Sequence, residues 1–109
     1  MIMLKEKPNM DYIEQLAGDD HLFKQKFITI LQEEFPEEKK EYLHNINNDL
    51  SREAALNVHK LKHKLNILGL HKSYRLAVQY EEELRLGDTK LKQDFSSILE
   101  TVETYLKTI

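Results

Sequence analysis

Three glycines and two prolines in 109 residues leave too few breaks for an all-β chain, in which turn residues recur at roughly 8–12-residue intervals. The chain is therefore expected to be all-α, made of long helices between few interruptions. It has no cysteine, so disulfides, thiolate chemistry and cysteine-based zinc sites are excluded, and the fold must be held by packing. A chain of this length buries a core without a metal or disulfide and has room for one domain, 1–109.

Apolar spacing divides that domain. Residues 1–8, ending at Pro8, show no periodicity and read as a loose arm. Asp11 to Gly18 reads as a short helix closed by its glycine, and Asp19 or Asp20 as the cap of the next. That second helix places Phe23, Phe27, Ile30 and Leu31 on one face, and the pattern resumes with Phe35, Tyr42, Leu43 and Ile46. Pro36 is expected to kink or restart it. Asn47 to Ser51 reads as a turn, with Ser51 as N-cap of a third helix that runs to about Leu68, and Gly69 sits at its C′ position. A fourth helix, from about Lys72 to Leu86, turns Leu76, Ala77, Tyr80 and Leu84 inward and stops at Gly87. Asp88 or Thr89 would cap the last helix, whose apolar residues Leu91, Phe95, Ile98, Val102, Tyr105 and Ile109 alternate steps of four and three. Short connections make consecutive helices antiparallel neighbours, which predicts an up-down antiparallel four-helix bundle with a short additional N-terminal helix across one end.

Charged residues make up 32% of the chain and the net charge is −3, with acids and bases interleaved. This balance opposes a phosphate backbone, and no basic stretch alternates with aromatics, so no nucleic-acid partner is expected. No apolar run approaches the roughly 20 residues needed to span a bilayer, and the N-terminus lacks a secretory apolar region. The expected address is the cytoplasm, without membrane contact.

The third helix carries the candidate chemistry. On a wheel, Ala54, Val58, Leu61, Leu65 and Leu68 form one stripe, the buried face, and His59 lies roughly 140° from its centre. His59 is thus an exposed histidine. Leu56 and His63 flank it one turn before and after, Lys62 stands at i+3, and Lys60 and Lys64 lie near the rim. A solvated face that happens to carry histidines has this composition too. A nucleophile that must reach a phosphorus atom on another protein also has to be exposed, and imidazole is partly neutral, hence nucleophilic, at cellular pH. Nearby ammonium groups would then pair with the transferred phosphate.

The run Val58-His59-Lys60-Leu61-Lys62 followed by Leu68-Gly69-Leu70 resembles the signature of histidine phosphotransfer (HPt) domains. In that signature the phosphorylated histidine is followed by an apolar residue at +2, a lysine at +3 and a glycine at +10, here Leu61, Lys62 and Gly69. The likeness extends to the Gly18-Asp19 junction, the phenylalanine-rich second helix and Tyr80-Glu81-Glu82-Glu83-Leu84 on the fourth. It implies a histidine phosphotransfer protein of a multistep phosphorelay, a phosphocarrier rather than a self-sufficient enzyme. His59 would accept and pass on the phosphoryl group and Lys62 would stabilise it. Leu56, Lys60, His63, Lys64 and Asn66 would form the docking surface, and Leu61 and Gly69 would be structural. The partners implied are response-regulator receiver domains and a hybrid histidine kinase; the magnesium ion belongs to the receiver, and this chain binds no cofactor of its own.

The chain departs from the signature at +4 to +6, where glycine and small residues are usual and His63, Lys64 and Leu65 stand here. That departure motivates a second reading, an adaptor that binds receivers without phosphotransfer. Two further readings are a metal chelate of His59 and His63 at i, i+4, disfavoured by the surrounding lysines and the absence of an intervening glutamate, and a purely structural bundle that oligomerises. The acidic run from Glu33 to Glu41 and the five tyrosines need no catalytic role.

Overall fold

A computed structural model describes residues 6–109. Among them the secondary structure is all α-helical: α1 (Asp11–Ala17), α2 (His21–Asn47), α3 (Ser51–Ile67), α4 (His71–Arg85) and α5 (Lys92–Leu106), with no strand. No helix among the described residues is long and apolar enough to cross a membrane.

One local device makes three of the reversals. After α2, α3 and α4, a residue with positive φ (Asp49 at 60°, Gly69 at 78°, Gly87 at 82°) lets the following N–H turn back to the carbonyl five residues earlier. Leu50 bonds Asn45 at 2.9 Å, Leu70 bonds Leu65 at 2.9 Å and Asp88 bonds Glu83 at 2.8 Å, so carbonyls that the helix ends would orphan are satisfied. Gly69 is required twice over. A Cβ there would stand 2.5 Å from Asn9 Nδ2, and the Asn9 N–H donates to the Leu68 carbonyl at 2.8 Å. Gly69→Ala is expected to cost about 2 kcal/mol, from left-handed backbone strain of roughly 1–2 kcal/mol and displacement of Asn9. Urea denaturation measures it; a loss below about 0.5 kcal/mol would show that the turn and the Asn9 contact both relax freely.

Of the expected loose arm over residues 1–8, residues 1–5 lie outside the described residues; within the rest, Glu6 makes a defined contact. The Glu6 carboxylate caps the start of α4, accepting from Lys72 N and Ser73 N, each at 2.8 Å, and from Ser73 Oγ at 3.1 Å. A carboxylate on orphan N–H groups at a helix N-terminus is favourable. Burial acts to raise the Glu6 pKa, but these hydrogen bonds outweigh it and hold it below the usual glutamate value.

The caps differ from expectation at two helices. Asp20 does cap α2, its carboxylate accepting from Phe23 N at 2.9 Å. Ser51, however, is the first helical residue of α3 rather than its cap, because Leu50 occupies the N-cap position at the end of the α2–α3 turn. Neither Asp88 nor Thr89 caps α5. The cap is Leu91, and Asp88 instead accepts from Lys90 N at 2.9 Å in the turn before it.

Pro36 does not restart α2, which runs through it as one helix of 27 residues. Proline removes one backbone hydrogen bond, and Pro36 itself is exposed, away from the buried stripe of the helix. At 1.5 Å per residue α2 is about 40 Å long, which sets the 45 Å long axis of the molecule. Its buried face is Ile28, Leu31, Phe35, Tyr42 and Ile46. Phe23 and Ile30, expected inside, are exposed, because Ile30 lies roughly 130° from the centre of that stripe.

The remaining helices face as their periodicity predicts. Leu76, Ala77, Tyr80 and Leu84 of α4 are buried, as are Leu91, Phe95, Ile98 and Val102, joined by Leu99 and Leu106 of α5; Tyr105 is half-buried and Ile109 is exposed at the end. α3 packs on both α2 and α4, α5 meets both α4 and α2, and α1 lies on α2. At the centre Phe95 sits 5.2 Å from each of the Tyr42 and Tyr80 rings, and the two hydroxyls hydrogen-bond at 2.5 Å. Burial pushes both phenols above the ordinary tyrosine range.

Candidate functional site

On α3 the stripe Ala54, Val58, Leu61, Leu65 and Leu68 is almost fully enclosed, and this fixes the rotation of the helix. Two flanks border it, each about 80° from its centre on the wheel. One carries Lys62 toward α4 and the other carries Lys64 toward α2. His59 stands beyond Lys62, its side chain 52% exposed.

The Lys62 flank meets a carboxylate. Glu81 of α4 has a side chain only 3% exposed, and its Oε2 is 3.1 Å from His59 Nδ1. Lys62 Nζ donates to Oε1 at 2.8 Å, and the Arg85 guanidinium, one turn along α4, donates to Oε2. Burial acts to raise the Glu81 pKa, but the bonds and charges of Lys62 and His59 outweigh it, so the carboxyl is held below its usual value. An ionised carboxylate only accepts hydrogen bonds, which puts the His59 ring proton on Nδ1. In the neutral ring the lone pair is then on Nε2, the nitrogen left open.

Acid therefore acts on this site with a defined sign. Glu81 and Glu6 both have folded pKa values depressed below 4.5, so the stability they confer is complete above that value and is lost as pH falls through the lower folded ones. The urea midpoint is expected to drop on acidification below about pH 4.5, and Glu81→Gln to flatten the drop. Identical slopes for variant and wild type would contradict the assignment.

Of the other candidates, Leu56, Lys60, His63 and Asn66 are exposed. The His63 ring stands edge-to-face to that of His59, centroids 5.3 Å apart. Asn66 Oδ1 is 3.1 Å from His71 Nδ1, where the face meets a shallow cleft lined by Tyr12, Gln15 and Ile67. Leu61 is buried, and Lys62 is near the histidine but only 12% exposed, its ammonium turned to Glu81.

Lys64 is not on this rim. It is buried against α2, with Glu34 and Glu38 each 3.0 Å from its ammonium. Beside it Asn57 accepts from Asn45 at 2.6 Å and donates to Glu41 at 3.2 Å. Part of the acidic run of α2 is thus spent holding α3 in place. The sequence places Glu81 in the likeness on the fourth helix without a role and singles out no role for Arg85, although a signal for Glu81 exists. It shares the inward face of α4 with Ala77 and Leu84, and a carboxylate there needs cationic partners.

No family model, no curated protein and no solved structure matches the chain. What the arrangement offers chemically is an oriented, accessible imidazole nitrogen backed by an anion and flanked by cations. Among the described residues no three histidine, aspartate or glutamate side chains converge as a metal site.

Proposed function

We propose that this chain is a phosphocarrier of the HPt type, in which His59 Nε2 accepts a phosphoryl group from a receiver-domain aspartate and passes it on. The observation that carries the reading is the exposed His59 ring held at Nδ1 by the buried Glu81 carboxylate. The Nε2 lone pair attacks phosphorus, the aspartyl P–O bond breaks, and the aspartate leaves as carboxylate. The ring then bears a positive charge with its proton still on Nδ1, facing Glu81, which stabilises it. Onward transfer reverses these steps: the P–N bond breaks and the electron pair returns to Nε2. Lys62 and Arg85 each hold further N–H donors beside Glu81 and supply them to the phosphoryl oxygens.

In this reading Leu56, Lys60, His63 and Asn66 face the receiver, which brings the magnesium ion, and a hybrid histidine kinase stands upstream in the cytoplasm. The contacts of α2 with α3, α3 with α4, α4 with α5 and α5 with α2 support an up-down antiparallel bundle of the four longer helices with α1 across one end. Two of the three departures from the signature, Lys64 and Leu65, point into the protein, so only His63 bears on docking. This weighs against the adaptor reading.

The test is transfer from a panel of phosphorylated receiver domains. Wild type is expected to gain an acid-labile, base-stable phosphate and His59→Gln none, while keeping its helical content, since an exposed side chain contributes little to packing. Receiver binding without labelling would replace this reading with the adaptor.

A further inference from the structure

We infer that His63 is a second ligand for the phosphoryl group on His59, so that the protein carries its phosphate between two histidines one helical turn apart. The inference rests on the phosphocarrier reading. Glu81 holds His59 by Nδ1, so a phosphoryl group on Nε2 projects from the side of the ring away from α4. The next ring along this face is that of His63, at 87° to His59 with centroids 5.3 Å apart. At that separation a ring N–H of His63 is within reach of a phosphoryl oxygen, which lies two bonds beyond Nε2. His63 is exposed, and its side chain has no hydrogen-bond or ion-pair partner among the described residues. Lys62 and Arg85 divide their donors between Glu81 and the phosphoryl group, and Lys64 is turned to Glu34 and Glu38, so His63 is the neighbour with no other partner to serve among the described residues. Lys60 is exposed on the adjoining face, and among the described residues the His59 ring meets Glu81 by hydrogen bond and His63 edge-to-face.

A donor on the phosphoryl oxygens stabilises the phosphorylated protein more than a transition state in which those oxygens lose charge. His63 therefore prolongs the life of the phosphohistidine rather than obstructing its formation. A small phosphodonor separates these possibilities, because no protein has to dock. With phosphoramidate, Nε2 displaces ammonia, the donor P–N bond breaks and the phosphoryl group passes to His59.

The experiment measures the half-life of phospho-His59 after phosphoramidate treatment in wild type, His63→Ala and His63→Gln, with His59→Gln as the blank. The expected result is a half-life about fivefold shorter in His63→Ala, the effect of one partly exposed hydrogen bond of about 1 kcal/mol, and partial recovery in His63→Gln, whose amide can donate. Half-lives within about twofold of wild type in both variants, or a longer one in His63→Ala, would overturn the inference and leave the phosphocarrier reading intact. Absence of label on wild-type His59 would overturn both.

Discussion

Glu81→Ala is expected to slow phosphoryl acceptance by His59 about 100-fold, the scale on which removing the partner that orients a reactive histidine acts. Glu81 contributes twice. Its hydrogen bond at 3.1 Å fixes the ring and its proton, and in the proposed transfer its negative charge would stabilise the positive charge of the phosphorylated ring. The two contributions separate in Glu81→Gln, whose amide oxygen still accepts from Nδ1 but carries no charge. That variant should lose about tenfold, between alanine and wild type. Single-turnover transfer from one phosphorylated receiver provides the comparison. Equal rates in Glu81→Ala and wild type would show that ring orientation does not limit the reaction. Equal rates in Glu81→Gln and Glu81→Ala would show that the charge, not the hydrogen bond, is what matters. Both substitutions leave the apolar core untouched, so the helical signal should persist.

The largest effect on stability is expected at Phe95. Phe95→Ala removes the ring that contacts both Tyr42 and Tyr80 and should cost about 3–5 kcal/mol in chemical denaturation, from lost burial plus the cavity left behind. The tyrosines provide an internal contrast. Tyr42→Phe leaves the buried Tyr80 hydroxyl without its partner at 2.5 Å and should cost about 1–2 kcal/mol, whereas the double change to phenylalanine removes both polar groups and should cost less than either single one. Additive losses in that cycle would mean that the hydroxyls are satisfied elsewhere. Because α2, α4 and α5 meet at these three rings, weakening them also loosens the support under Glu81, the residue next to Tyr80.

The exposure of His59 was legible because five apolar residues at helical spacing leave α3 a single way to face its core. The inward set of α4 was legible for the same reason. A wheel gives the direction of a side chain but not the residue it meets. Lys62 and Lys64 border the stripe at equal angles, and nothing local distinguishes the lysine that reaches Glu81 from the one that reaches Glu34 and Glu38. That distinction depends on how α2 and α4 are rotated. The rotation of α2 was misjudged because Phe23 and Ile30, both apolar, are exposed. Glu6 was missed for a different reason: it caps a helix 66 residues further along the chain, and an arm without periodicity gives no local sign of such a contact. The turns were legible at Gly69 and Gly87 through residue type; Asp49 adopts the same backbone without that marker.

The proposed phosphotransfer requires that His59 Nε2 be the phosphoryl acceptor and that Glu81 keep the proton on Nδ1. Long-range proton–nitrogen NMR of the imidazole, recorded before and after phosphorylation by a receiver, tests it most directly. The expected result is a protonated Nδ1 and a bare Nε2 in the neutral ring, followed by a P–N bond at Nε2 with the proton still on Nδ1. A phosphoryl group on Nδ1, or on any residue other than His59, would contradict it.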